Sequence, residues 1–207
     1  MYIQTKLGYG IKDFERTHLV WLVLFWKLKI YRRPESEEKI HIETWSAGSE
    51  RVCSYRDYKL YDENNNLIAI ATSKWALYNL PEAHLAKITP ELLKAYQTTD
   101  EHVFENTIYK LAVPNAPYLA TYDYTVMRRD IDTNHHVHNS NYLDIANEVL
   151  PEDVYRNVEF SNVEIMYKNQ AIYGDKTKSF YYQVGSEHYV VIRSEDLSKL
   201  HCIIKLS

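Results

Sequence analysis

Polar and apolar positions alternate along three consecutive stretches in the first half of the chain: KLKIYRRPESEEKIHIETW from Lys27, SYRDYKLYDENNN from Ser54 and LIAIATSKWALY from Leu67. A period of two puts every second side chain on one face, so these stretches are predicted as half-buried strands, with turn-forming residues marking the breaks. The run before them, HLVWLVLFW from His18 to Trp26, is almost wholly apolar. It has about half the length a membrane-spanning helix needs and is followed at once by charged residues, which predicts a buried strand and no membrane span.

The pattern then recurs. VEIMYKNQAIYGDKTKSFYYQ, HYVVIRSEDLSK and LHCIIKLS repeat the order of elements, setting Tyr31-Arg32 against Tyr167-Lys168 and, after a one-residue shift, Lys39 against Lys176. In this second half a strand, YLATYDYTVM, and a helix, NSNYLDIANEVL, come first. Too little chain precedes Tyr31 to hold both, so the first half is expected to lack its opening strand and most of its helix, keeping a stub around YIQTKLGYG. Residues 1–85 and 117–207 are thus expected to be two halves on one plan, joined over 86–116 by a linker in which ITPELLKAYQTTDEHVF carries a short helix.

Composition narrows the classes. Nineteen Tyr beside five Gly and six Pro reinforce the strand-rich reading, because aromatic side chains suit a pleated, half-buried surface. With 24 Lys and Arg against 28 Asp and Glu the net charge is -4, and no basic field advertises nucleic acid. Cys53 and Cys202 form neither a disulfide framework nor a CxxC metal clip, which agrees with a reducing compartment. No signal peptide is read ahead of the first strand, so the cytoplasm is the expected location.

The chemistry concentrates in DIDTNHHVHN, residues 130–139, at the mouth of the predicted helix. Asp130, Asp132 and Asn134 have the one-three-five spacing of a calcium loop, but His135 stands where that loop needs Gly and Asn141 where it needs Glu. His136 and His138 could begin a metal site, yet no third and fourth ligands stand out. Asn139 or Ser140 could cap the helix, a purely structural role. Finally, a histidine held at a helix start by carboxylate and carboxamide neighbours could position a water or polarise a carbonyl. Residue pattern alone favours the structural reading over the catalytic one.

The run D-x-D-x-N-x-H-V-x-N-x-x-Y, filled by Asp130, Asp132, Asn134, His136, Val137, Asn139 and Tyr142, closely resembles the signature of the acyl-acyl carrier protein thioesterases of plant plastids and bacteria. IYRRPESEEKIHIETW, SYRDYKLYD and ATSKWALY resemble the family's amino-terminal strands, so the likeness covers nearly the whole chain in order. It implies an α+β fold: a tandem, or double, hotdog of antiparallel sheets wrapped around helices, here with the first hotdog truncated at its N-terminus. It also implies hydrolysis of the thioester between a fatty acyl chain and the phosphopantetheine arm of acyl carrier protein, with no cofactor. Asp132, Asn134 and His136 are then the catalytic group. No G-x-S-x-G elbow is present to supply a serine nucleophile, leaving water as the attacking group. His136 would act as general base, Asn134 would polarise the carbonyl, Asp132 would orient the histidine, and N–H groups at the helix start would add donors. Asn139 and Tyr142 complete the motif as substrate-binding positions. Trp21, Trp45 and Trp75, with Phe25 and Tyr78, are candidates for the acyl tunnel, core packing being the simpler alternative.

One departure matters. Plant members carry a Glu-Cys pair after the motif, and alignment on Tyr167-Lys168 puts Gln170 and Ala171 there. Ala171 excludes a thiol nucleophile at that position. Gln170 can hold a water but cannot take its proton, so it is expected to be an auxiliary. Lys27, Lys29, Arg32, Arg33, Arg128 and Arg129 could meet an acidic carrier protein, or only keep strand edges soluble. Glu148 matches a family position but reads equally as a solvated helix carboxylate, while His135 and His138 read as surface or cap residues. A first half without its opening strand and helix would leave Trp21 to Trp26 uncovered, which predicts a homodimer. The rival readings are an acyl-coenzyme A thioesterase of the same fold and a catalytically silent acyl-binding protein.

Overall fold

The apolar run beginning at His18 forms the first part of β1 (Leu19–Ile30), which is followed by β2 (His41–Glu50), β3 (Cys53–Tyr61) and β4 (Leu67–Asn79). The structure is a computed structural model and describes residues 17–105 and 109–207. The chain divides into two units, residues 1–108 and 109–207. Antiparallel pairing in unit 1 gives the order β2-β3-β4-β1, with a two-residue β5 (His84–Leu85) beside β4. β4 has neighbours on both sides, and Ile68 to Ser73 are buried without a break. A central strand covered on both faces loses the alternation of an edge strand. β1 is half-buried at most positions instead of wholly buried, Phe25 being its one fully buried side chain. A bulge between Ser46 and Ser49 interrupts β2, and Gly48 takes φ +85° there, a value at which a side chain would be strained.

After β5 comes α1 (Pro90–Ala95), capped by Thr89, whose Oγ1 accepts the Leu92 N–H at 3.3 Å. The chain then straps itself onto the sheet of unit 1. Register sets Trp45, Asp57, Thr72 and Lys27 side by side across β2, β3, β4 and β1. Onto this row Trp45 Nε1–H donates to the Glu101 carbonyl at 2.9 Å, Val103 N–H donates to Asp57 Oδ2 at 2.7 Å, and Lys27 Nζ sits 4.6 Å from the centre of the Phe104 ring.

Unit 2 contains β6 (Ala120–Thr125), α2 (Asn141–Asn147), α3 (Glu152–Asn157), β7 (Asn162–Tyr167), β8 (Lys176–Val184), β9 (Glu187–Ser194) and β10 (Leu200–Leu206). Its strands are ordered β7-β10-β9-β8-β6. Read from β8, the order β8-β9-β10-β7 reproduces β2-β3-β4-β1, and β7 ends at Tyr167 just as β1 ends beside Tyr31. The internal repeat is therefore a repeat of topology, and the architecture is the α+β hotdog arrangement. Counterparts of β6 and α2 do not occur among the described residues of unit 1, and the stub around YIQTKLGYG lies outside them.

Each unit-2 element follows from its sequence. β6 is an edge strand with strict alternation: Ala120, Tyr122 and Tyr124 half-buried, Thr121, Asp123 and Thr125 exposed. α2 buries Tyr142, Ile145 and Ala146, the i, i+3, i+4 stripe of a surface helix. Removing a side chain such as Ile145 from water contributes roughly 1.5–3 kcal/mol. The helix predicted through Leu150 stops at Asn147, and the tighter bonds from Val149 N–H to the Ala146 carbonyl and from Leu150 N–H to the Asn147 carbonyl lead into Pro151. No helix among the described residues is long and apolar enough to cross a membrane.

Candidate active site

The motif between β6 and α2 is built on two carboxylates that hold backbone. Asp130 is 6% exposed, and its Oδ2 accepts the Tyr124 hydroxyl and the Met127 N–H, both at 2.7 Å. Its carbonyl accepts the His138 N–H at 2.8 Å, so the two ends of the motif meet at this residue. Burial, and then the bond to Asp130, pushes the Tyr124 phenol above its ordinary value. Between these ends Ile131 and Val137 form an antiparallel bridge, and Asp132 N–H donates to the His136 carbonyl at 2.8 Å. The loop is closed from inside. Asp132 Oδ1 accepts the N–H of Asn134 at 2.8 Å and that of His136 at 3.4 Å, while Asn134 Nδ2–H donates to Oδ2 at 3.3 Å. His135 takes φ +63°, a left-handed conformation uncommon for a residue other than Gly or Asn.

This geometry revises the sequence reading of Asp132. Its carboxylate supports His136 through the backbone N–H and makes no hydrogen bond to the imidazole. His136 is half-buried, and its Nδ1 is buried without a hydrogen-bond partner among the described residues. Asn134 is exposed and has one amide hydrogen left after its bond to Asp132. The carboxylates of Asp130 and Asp132 both accept protein donors, and no cluster of three or more potential metal ligands occurs among the described residues.

The helix cap also differs from expectation. Ser140 occupies the N-cap position of α2, but its side chain makes no capping bond. Instead Ser140 Oγ lies 2.8 Å from His138 Nδ1, and the Asn141 N–H donates to the His138 carbonyl at 2.9 Å. Leu143 N–H is taken by the Ser140 carbonyl. Two early N–H groups of this seven-residue helix are thereby spent inside the protein.

The segment after β7 is stitched to the motif. Val137 N–H donates to the Ala171 carbonyl at 2.9 Å, and Ala171 N–H donates to the hydroxyl of Tyr142 at 3.2 Å. Tyr142 is 3% exposed and its ring meets Tyr167 edge-on at 5.8 Å. It therefore acts as a buried anchor between α2 and Ala171. Tyr167, which the motif did not single out, donates its hydroxyl to the Asn139 carbonyl at 3.0 Å, and burial raises the phenol pKa of both tyrosines. The Asn139 side chain is exposed, as is Gln170, whose side chain has no hydrogen bond among the described residues. Ala171 is fully buried, so position 171 supplies backbone groups and space, not chemistry.

The remaining candidates separate by unit. Trp21, Trp45 and Trp75 belong to unit 1, where all three are half-buried. Register places Trp21 opposite Leu77 and Trp75 opposite Val23. Trp75 Nε1–H donates to Ser73 Oγ at 2.7 Å, and Trp45 lies beneath Lys59 with its Nε1–H on Glu101. Among the basic residues, Arg32 is engaged by Glu38 and Asp62, which raise its pKa, Lys29 lies over the Tyr31 ring, Arg128 lies over the Tyr173 ring, and Arg129 Nε is 3.9 Å from Asp130. Cys202 is fully buried opposite Tyr167 in β7, and burial pushes its thiol well above the ordinary value. Asp130 was legible as the first residue of the motif but not as the group that ties its two ends together, and His201, which is 2% exposed with its Nδ1 3.0 Å from the Asn169 carbonyl, left no signal in the pattern.

The acyl-ACP thioesterase N-terminal domain model matches residues 2–96 and the C-terminal domain model matches residues 118–204. Oleoyl-acyl carrier protein thioesterase 2 of Arabidopsis thaliana is 26% identical over 181 residues, 80% of this chain and 49% of that protein. The oleoyl-acyl carrier protein thioesterase of Coriandrum sativum is 27% identical over 192 residues, covering 84% and 52%. The chain spans about half the length of the curated relatives it matches. In fold it is similar to an acyl-ACP thioesterase from Bacteroides thetaiotaomicron, with a TM-score of 0.85 at 22% identity over 98% of this chain and 82% of that one. The 12:0-ACP thioesterase from Umbellularia californica gives a TM-score of 0.84 at 16% identity, over 99% and 83%. With both family domains matched in order along the chain, the protein belongs to the acyl-ACP thioesterase family.

Proposed function

We propose that the protein hydrolyses the thioester of a fatty acyl-acyl carrier protein, releasing free fatty acid and the carrier's phosphopantetheine thiol. The observation that carries this reading is the loop from Ile131 to Val137. It is closed by Asp132, presents Asn134 and His136, and is bonded through Val137 to the segment bearing Gln170. His136 takes a proton from water as the oxygen attacks the thioester carbon. Because Nδ1 is buried, Nε2 is assigned to the water and Nδ1 carries the ring hydrogen. The free N–H of the Asn134 amide meets the oxygen that becomes negative. Collapse of the tetrahedral intermediate breaks the C–S bond, and the imidazolium returns its proton to the sulfur. Gln170 holds the water by hydrogen bonding, since an amide cannot accept its proton. The protein is assigned to the cytoplasm as a homodimer.

The test is thiol release from a panel of acyl-acyl carrier proteins and the matching coenzyme A esters, using the parent, His136→Ala and Gln170→Glu. Turnover by the parent is expected, with a loss of at least roughly a hundredfold in His136→Ala. Gln170→Glu is expected to remain active. Equal rates for parent and His136→Ala would remove the histidine from the mechanism, an inert parent would overturn the hydrolase reading, and faster turnover of coenzyme A esters would reassign the carrier. Light scattering that finds a monodisperse monomer would remove the homodimer.

A further inference from the structure

We infer that His201 is a positioning residue for Gln170, acting through the backbone of Asn169. This rests on the thioesterase reading, in which Gln170 holds the attacking water. His201 lies in β10 where the register with β9 slips between Leu200 and Cys202, the kind of irregularity that re-aims a side chain. It is 2% exposed, and its Nδ1 is 3.0 Å from the Asn169 carbonyl. A carbonyl only accepts, so Nδ1 carries the hydrogen and donates it. The His201 carbonyl accepts the Lys168 N–H at 2.9 Å, and Asn169 Nδ2–H donates to the Leu200 carbonyl at 2.7 Å. Residues 200 and 201 thus grip 168 and 169, just as Tyr142 and Val137 grip Ala171 on the other side.

Gln170 stands between these two clamps, exposed, with no side-chain hydrogen bond of its own among the described residues. A backbone held on both sides of a free polar side chain limits where that side chain can reach, which is what a water-holding group requires. The second observation is the far side of the imidazole. His201 Nε2 is buried and has no hydrogen-bond partner among the described residues. A buried nitrogen without a partner is unfavourable, and leucine would fill similar space without it. What the imidazole adds is the Nδ1–H bond to the carbonyl next to Gln170.

Two amide replacements separate this role from general support. In His201→Asn the amide nitrogen falls near the place of Nδ1 and can still reach the Asn169 carbonyl. In His201→Gln an equally polar amide is displaced toward the place of Nε2 and cannot. His201→Gln and His201→Leu are expected to lower kcat about tenfold with KM within about twofold, and His201→Asn is expected to recover most of the loss. In a Gln170→Ala background the same His201 substitutions should change kcat by less than about twofold, because the residue they act through is gone. Losses that multiply in the double variants, or an Asn variant no better than Gln, would overturn the inference. Amide hydrogen exchange of Lys168–Ala171 provides a readout without turnover. Exchange about tenfold faster in His201→Gln, with β8 and β9 unchanged, supports the clamp. Unchanged exchange sinks it, whether or not the parent proves to be a thioesterase.

Discussion

Replacing Tyr142 with Phe tests whether this motif tyrosine is an anchor or a substrate contact. The substitution removes one oxygen and leaves the ring, so the edge-on packing against Tyr167 at 5.8 Å is kept and no side-chain cavity opens. What changes is the Ala171 N–H, which donates to the lost hydroxyl at 3.2 Å from a residue with 0% exposure. Water cannot replace the acceptor without local opening, and a buried donor left unmade costs about 1–3 kcal/mol. With a urea m-value of about 1–3 kcal/mol per molar, the midpoint should fall by roughly 0.3–3 M. All four tryptophans lie in unit 1, so tryptophan fluorescence follows that unit while far-UV circular dichroism reports both. The loss should appear in the dichroism transition. Tyr167→Phe is the internal control. Its hydroxyl is a donor to the carbonyl of exposed Asn139, which water can serve instead, so the cost should stay below about 1 kcal/mol. A Tyr142→Phe midpoint within about 0.2 M of the parent would refute the anchor argument, and the residue would return to the substrate-binding candidates.

Other outcomes follow from single contacts. Asp57 Oδ2 accepts the Val103 N–H while Oδ1 is buried without a partner among the described residues, so Asp57→Asn should stay within about 1 kcal/mol of the parent. Asp57→Leu should lose about 1–3 kcal/mol in the fluorescence transition and free residues 98–104 to hydrogen exchange; parent-like stability would show the strap needs no acceptor. Bonds from the Ser194 hydroxyl and then from Ser198 hold the Asp196 carboxyl down at about 2. A folded value below the unfolded one means that its stabilising contribution is present above the ordinary carboxylate range near 3.9 and is lost as pH falls through about 2. A carboxyl NMR titration placing Asp196 near 3.9 would contradict those bonds. Iodoacetamide should label native Cys53, which is half-buried, far faster than Cys202, whose thiol is buried and pushed up in pKa. Turnover should survive that labelling, because position 171 carries no thiol; loss of activity on modification would reopen the question of a cysteine nucleophile.

Much of this protein was determined by local pattern. Strand positions followed from alternation and turn residues, because the pleat imposes a period of two wherever one face is buried. The equivalence of Tyr31 and Tyr167 predicted a repeated topology before any pairing was known, and the sheet orders agree with it. The polar row was recognisable because its residue types and spacing are specific, and the match to the C-terminal family domain spans it. Tertiary structure decided what each polar group touches. Asp132 bonds the backbone of its own loop and not the imidazole, and Ser140 takes the cap position without capping. Tyr142 turns inward to Ala171. Such choices depend on which donor lies within about 3 Å after the chain has folded, and a hydrogen bond between residues 29 or 32 positions apart leaves no periodic trace. His201 was silent in the sequence for that reason. An isolated histidine in a strand looks the same whether its ring fills space or grips a carbonyl, and only the packing of β10 beside the end of β7 separates the two.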